Sequence, residues 1–318
     1  MVIVADKRLE TDGSMHSFAQ KINSSVPILL ISRPSNYEFN EAVLSLAGKP
    51  YVIWDVIEYG WDAKIEYTHF FGFGEQSFHG MAFFPQFKDK KSEWCKLNDF
   101  IEANQPIRYF KRELLAKDAD DFYVPLNYPC SQEIPEVQSK EDFLNRPFDV
   151  FYSWGLSHPE RRRLHGEISV AANKEGYIVC DNLYFMNQFV ANESNEHKWL
   201  ISNLPHYCRF PCEQITAING IARVSISMPG AGTCCFRHTE ASINSTMLMK
   251  EDNMAWSFPW VHNSNCIKFS DFGDEVKIIQ EALSNQALYD IYVNGVENCR
   301  KYYLPNYISH IESLINNA

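Results

Sequence analysis

"RPFDVFYSWGLSHPERRRLHGEI", residues 146 to 168, decides the fold. Its first ten residues form an apolar and aromatic run that ends at Gly155, and Pro159 then opens a stretch with helical spacing. A buried strand that stops at a glycine and turns into a helix is the repeating unit of parallel α/β sheets. This half of the chain therefore reads as a parallel α/β domain.

The same unit recurs on both sides. Upstream, "SVPILLIS" (25 to 32), the helix-like "NEAVLSLAG" (40 to 48) and "KPYVIWDV" (49 to 56) alternate short apolar strands with a helical pattern, and residues 107 to 110 read as a further strand. The Pro-rich, acidic "YVPLNYPCSQEIPEVQSKEDF" (123 to 143) reads as a linker. Downstream, "YIVCDN" (177 to 182) and "IARVSISM" (221 to 228) read as strands, "TEASINSTMLM" (239 to 249) as a helix, and residues 274 to 318 as consecutive helices broken at Pro305. Two α/β halves follow, 1–130 and 131–301, with a last helix over 302–318.

Composition narrows the function classes. At 318 residues, 45% hydrophobic and 22% charged, the chain is globular and long enough for two domains. A net charge of −11 opposes broad attachment to nucleic acid or an anionic membrane, both of which need clustered positive charge. The dense basic runs are confined to Arg161–Arg163 and Lys88–Lys91. The start, "MVIVADKRLETDG", is charged by its sixth residue and is no secretory signal, and no apolar run approaches the ~20 residues that span a bilayer, so a soluble cytoplasmic protein is expected. The nine cysteines include no CxxC and read as reduced thiols. "HYCRFPC", with His206, Cys208 and Cys212, lacks a second ligand pair, so no metal is assigned.

Two strand–turn–helix units carry the chemistry. In the first, Gly155 allows close backbone approach, Ser157 and His158 stand at a helix cap, and Arg161 and Arg163 follow within a turn. The pattern suits an anion site, and equally an ordinary capped helix with a charged outer face. The second is "MPGAGTCCFRHTEA", residues 228 to 241. Gly230 and Gly232 let the backbone, through Thr233, approach a ligand; Arg237 pairs with phosphate oxygens; Glu240, one helical turn on, accepts hydrogen bonds from sugar hydroxyls. A ribose carrying a diphosphate needs that combination.

A strand, then GxG, then an arginine and a glutamate resembles the donor site of GT-B glycosyltransferases, most nearly the exostosin-type and related short enzymes. "RPFDVFYSWGLSHPERRRLHGEI" is similar to the opening of their second domain, and "YCRFPCEQITAINGIARVSISMPGAGTCCFRHTEASINSTMLM" to the donor-binding block. The resemblance covers residues 146 to 262. It implies two Rossmann-like domains facing across a cleft, with the last helix crossing back to the first. It also implies a sugar moved from a nucleotide sugar, UDP- or GDP-linked, to an acceptor hydroxyl. The departing diphosphate would be held by Arg237, the amides around Gly230 to Thr233 and one of Arg161 or Arg163, with no metal. The chain departs from the family where Glu251 lies beyond "TMLM" and where "NMAWSFPWVHN" replaces small residues.

The first half is expected to carry the acceptor side. Asp55 closes the strand "PYVIWD" and is the first choice for general base, with Glu58, Asp62, Glu75 and His79 behind it. "GFG" at Gly72 to Gly74 is too short for a dinucleotide fingerprint. A saccharide acceptor comes first and a hydroxymethylated DNA base second; the other class is a nucleotide-sugar-binding protein without turnover.

Overall fold

The computed structural model describes residues 1–7, 14–31, 38–56, 91–112, 114, 116–130, 132–155, 159–184, 212–228, 237–250, 254–269 and 275–317. Within them the chain forms two five-stranded sheets, one from each half, and every strand pair is parallel. The first holds β1 (Val2–Val4), β2 (Ile28–Ile31), β3 (Val52–Asp55), β4 (Arg108–Lys111) and β5 (Tyr123–Pro125), side by side in that order. The second holds β6 (Phe148–Gly155), β7 (Val179–Tyr184), β8 (Ala222–Ser227), β9 (Thr246–Lys250) and β10 (Ile267–Phe269), in the order β10-β9-β8-β6-β7.

Burial explains why these runs are strands. "ILLI" of β2 and "VIWD" of β3 are buried at every position, as expected of parallel strands covered on both faces. Phe18 of α1 (Ser14–Gln20) joins Leu30 and Trp54 on one face. Leu97 of α2 (Lys91–Ala103) joins Leu29 and Ile53 on the other.

The structure corrects three local readings. "TMLM" is not the end of a helix: α6 (Arg237–Ser242) stops after six residues and Thr246–Lys250 is β9, buried from Thr246 to Met249. A continuous apolar run covered on both faces lacks the period that separates strand from helix. The stretch read as linker supplies β5 and, after the Ser139 cap, α3 (Lys140–Leu144). "NEAVLSLAG" makes a 3₁₀ turn over Glu41–Leu46, with the Asn40 side chain accepting from the Ala42 N–H.

The remaining helices are α4 (Pro159–Glu175), α5 (Cys212–Asn219), α7 (Glu275–Ser284), α8 (Leu288–Tyr302) and α9 (Leu304–Asn316), the last with Pro305 in its opening turn. A stripe of Tyr307, Ile311 and Ile315 on α9 packs against Ile28, Leu30, Val52 and Trp54 of the first sheet. The same apolar cluster runs on to Ala241, Ile243, Met247 and Met249 of the second half. At the junction of α8 and α9, Cys130 pairs with the backbone: its N–H donates to Tyr302 O at 2.7 Å, and Leu304 N–H donates to Cys130 O at 2.9 Å. Residues 254–260 also reach the first half, where Ala255 N–H donates to Leu114 O at 2.8 Å and Ser257 N–H to Asn127 Oδ1 at 2.7 Å. Cys130, Cys180, Cys266 and Cys299 are free thiols, and burial pushes the Cys130 thiol up to about 11. Among the described residues no helix is long and apolar enough to cross a membrane.

Candidate functional site

The two sheets differ in one respect that matters for binding. The first proceeds from β1 to β5 without reversing, whereas the second starts at β6, steps outward to β7, and then returns across β6 to β8, β9 and β10. Reversal leaves a crevice at the carboxyl ends of the two strands that flank it, because the connections leave in opposite directions. In this molecule those strands are β6 and β8, paired with Phe151 opposite Ser225. They are the two strands whose following turns carry the glycine-containing units read from the sequence.

A pocket lies beside this pair. Phe151, Tyr152 and Ser153 of β6, Ser225 and Ile226 of β8, Ile215 and Asn219 of α5, and Arg237, Glu240 and Ala241 of α6 line it. Arg237 and Glu240 are thus brought together, one helical turn apart, on the wall of one pocket. Its lining residues include an arginine, a glutamate, two serines and an asparagine beside the apolar Phe151 and Ile215. Such a mixture orients a polar ligand while excluding part of its surface from water.

β8 carries two buried serines on its face toward α5 and α6, which is unusual for a buried strand. Alternation along "ARVSIS" sends Val224 and Ile226 into the apolar core of the second half. Ser225 and Ser227, on the other face, are both buried. Ser225 Oγ donates to Asn219 Oδ1 at 2.6 Å, and Asn219 Nδ2 donates to the Glu240 carbonyl at 3.3 Å. Ser227 Oγ and His238 Nδ1 share a hydrogen bond of 2.9 Å. Ser153, Ser225 and Asn219 are not among the residues predicted from the sequence, although Ser225 and Ser227, at strand spacing within an apolar run, mark a polar inner face.

Gly155 ends β6, and Arg161 lies in the first turn of α4. Arg163 pairs with Glu167 one turn along α4, at 2.5 Å, and is not among the residues lining the pocket. Ser157, Gly230, Gly232 and Thr233 lie outside the described residues, as do Glu58, Asp62, Glu75, His79, His206 and Cys208. Among the described residues no group of three or more His, Cys, Asp or Glu could hold a metal ion.

Asp55 stands at the carboxyl end of β3 and is 1% exposed. Its Oδ2 accepts from Lys111 Nζ at 2.8 Å and from Tyr109 Oη at 2.9 Å. Burial first, and then the Asp55 charge, hold the Tyr109 phenol well above its usual range, so it stays a donor to that carboxylate.

No protein-family model matches the chain, and no curated protein matches it in sequence. Solved structures do. An α,α-trehalose-phosphate synthase (UDP-forming) from Burkholderia vietnamiensis matches with a TM-score of 0.55 at 10% identity, over 96% of this chain and 77% of the synthase. TarM matches at 13% identity and a TM-score of 0.47, over 91% of this chain and 55% of TarM, so the chain spans little more than half of that protein. The glycotransferase of kitacinnamycin matches at 13% identity and a TM-score of 0.41, over 91% of this chain and 76% of its own. The likeness to the synthase, with the two parallel sheets, shows the fold: two Rossmann-like domains in the GT-B arrangement.

Proposed function

We propose that the chain is a glycosyltransferase that moves a sugar from a nucleotide-sugar donor to an acceptor hydroxyl, with a saccharide as the first acceptor class. One observation carries the reading: Arg237 and Glu240 line a single pocket beside the strand pair at which the second sheet reverses. In this reading Glu240 accepts from the ribose hydroxyls, and Arg237 neutralises the diphosphate as its bond to the anomeric carbon breaks. Amides of Gly230 to Thr233 and one of Arg161 or Arg163 add to that charge stabilisation. The acceptor oxygen bonds to the anomeric carbon and gives its proton to a base from the first half. The UDP-forming synthase with the same fold makes UDP the first donor nucleotide to test, with GDP second. The net charge of −11 favours a saccharide over a modified DNA base and suits a soluble, cytoplasmic enzyme.

The test has two arms. Calorimetric titration with UDP and GDP measures donor binding, and incubation with a panel of UDP- and GDP-sugars measures slow hydrolysis to free sugar. Binding and hydrolysis together are expected, and both should persist in EDTA because the arginine and amides carry the charge. Binding without hydrolysis of any donor would instead support a nucleotide-sugar-binding protein. Absence of both would overturn the donor-site reading.

A further inference from the structure

We propose that His238 is a positioning residue that fixes the orientation of the helix carrying Arg237 and Glu240. The inference rests on the donor-site reading for the identity of the ligand. A helix of six residues does not hold its own shape, since helix nucleation costs more than so few backbone bonds return. The direction of α6 is therefore set by what it touches.

His238 follows Arg237 directly and is 2% exposed. On one side its Nδ1 bonds to Ser227 Oγ at 2.9 Å, at the carboxyl end of β8. On the other its ring lies 5.2 Å from that of Trp256, centroid to centroid. Trp256 sits between Ala255 and Ser257, the residues that hydrogen-bond to Leu114 and Asn127 of the first half. One imidazole thus ties the turn bearing Arg237 to the sheet beneath it and to the segment that meets the other domain. Asn219 holds the far end of the same helix through the Glu240 carbonyl. Rotation of α6 far enough to redirect Arg237 would break the Ser227 bond and lift the ring from Trp256.

The competing account is a histidine that merely fills the core. Three variants separate the two: His238→Ala, His238→Asn and Ser227→Ala, each titrated with UDP and GDP and each followed by thermal denaturation. The Asn amide occupies the place of the imidazole Nδ1 and keeps the bond to Ser227, but it loses the ring against Trp256. His238→Ala and Ser227→Ala are expected to weaken nucleotide affinity about tenfold, the effect of one lost hydrogen bond. His238→Asn should stay within about threefold of the wild type, although its Tm falls as far as that of His238→Ala. Wild-type affinity in His238→Ala or Ser227→Ala would overturn the assignment, and so would an affinity in His238→Asn as low as in His238→Ala. Should the wild type itself bind neither nucleotide, the donor-site reading fails and this assignment falls with it; failure in the variants alone leaves that reading standing.

Discussion

Arg237 and Glu240 occupy two half-buried positions of a six-residue helix whose other members, His238, Thr239, Ala241 and Ser242, are buried. The packing burden thus falls on their neighbours, while the two charged side chains line the pocket. Arg237→Ala and Glu240→Ala should each weaken binding of a nucleoside diphosphate by tenfold to a hundredfold, about 1.5 to 3 kcal/mol, while Tm moves little. Calorimetry beside a thermal melt checks this, and unchanged affinity would remove the residues from the site. Asp55 presents the opposite case. Its side chain and that of Lys111 are 2% and 4% exposed, so Asp55→Asn leaves an ammonium buried without its counter-charge. Loss of one partner of a buried pair costs about 3 to 5 kcal/mol, so denaturant midpoint and turnover should fall together. A large fall in turnover at unchanged stability would instead support the general base read from the sequence.

At the scale of elements, the second half rests on how closely α8 approaches α6. A Cβ on Gly295 would lie 2.6 Å from Ser242 Oγ and 2.9 Å from the Asn265 carbonyl oxygen. The hydroxyl can rotate away, but the carbonyl belongs to backbone, so Gly295→Ala has to displace α8. Overpacking of this kind costs about 1 to 3 kcal/mol, and because α6 lies between α8 and the pocket, nucleotide affinity should fall with the midpoint. A stable variant with normal affinity would show that α8 yields without moving α6. The contact had a sequence signal that went unread. Glycine inside a helix costs about 1 kcal/mol relative to alanine, so "YVNGVEN" already asks what must come close. The legible part of the fold was its periodic part: a strand ending in Gly155, Pro159 opening α4, Pro305 opening α9, and "ARVSIS" as β8. "TMLM" misled because a strand buried on both faces carries no alternation to read. The placing of Arg237 and Glu240 on one pocket wall was legible because it depends on helical spacing alone, which is local. The ion pair of Asp55 with Lys111 was not, since the register of β3 against β4 brings together residues far apart in the chain, and the bond of Asn219 to Ser225 was not, since it depends on how α5 packs on β8 rather than on a local period.

Across the whole molecule, the two halves share a core. Interfaces between domains of one chain are usually modest and polar, so that each domain melts at its own temperature. Here Leu30 and Trp54 of the first sheet, Ala241 and Met247 of the second half, and Tyr302, Tyr307 and Ile311 of the last two helices belong to one buried apolar cluster. Tyr307 is its polar node. Its Oη accepts from the Asn127 N–H at 2.8 Å and lies 2.9 Å from Ser257 Oγ, and its ring stacks on Phe18 at 5.5 Å. The side chain therefore touches the first domain, the connection between the halves and the returning 254–260 segment at once. A core that neither half completes alone predicts a single cooperative transition in differential scanning calorimetry, with equal calorimetric and van't Hoff enthalpies. Tyr307→Ala should lower that one transition without splitting it. Removing a large buried aromatic costs about 3 to 5 kcal/mol, which for a chain of this size shifts Tm on the order of 10 °C. Two resolved transitions in the wild type, or a Tyr307→Ala variant in which only one of them moves, would mean that the halves are separate folding units joined by contacts. The distinction bears on the proposed chemistry: a donor held by the second sheet and an acceptor presented by the first must meet within about an ångström of the right geometry, and a shared core fixes that distance before either ligand arrives.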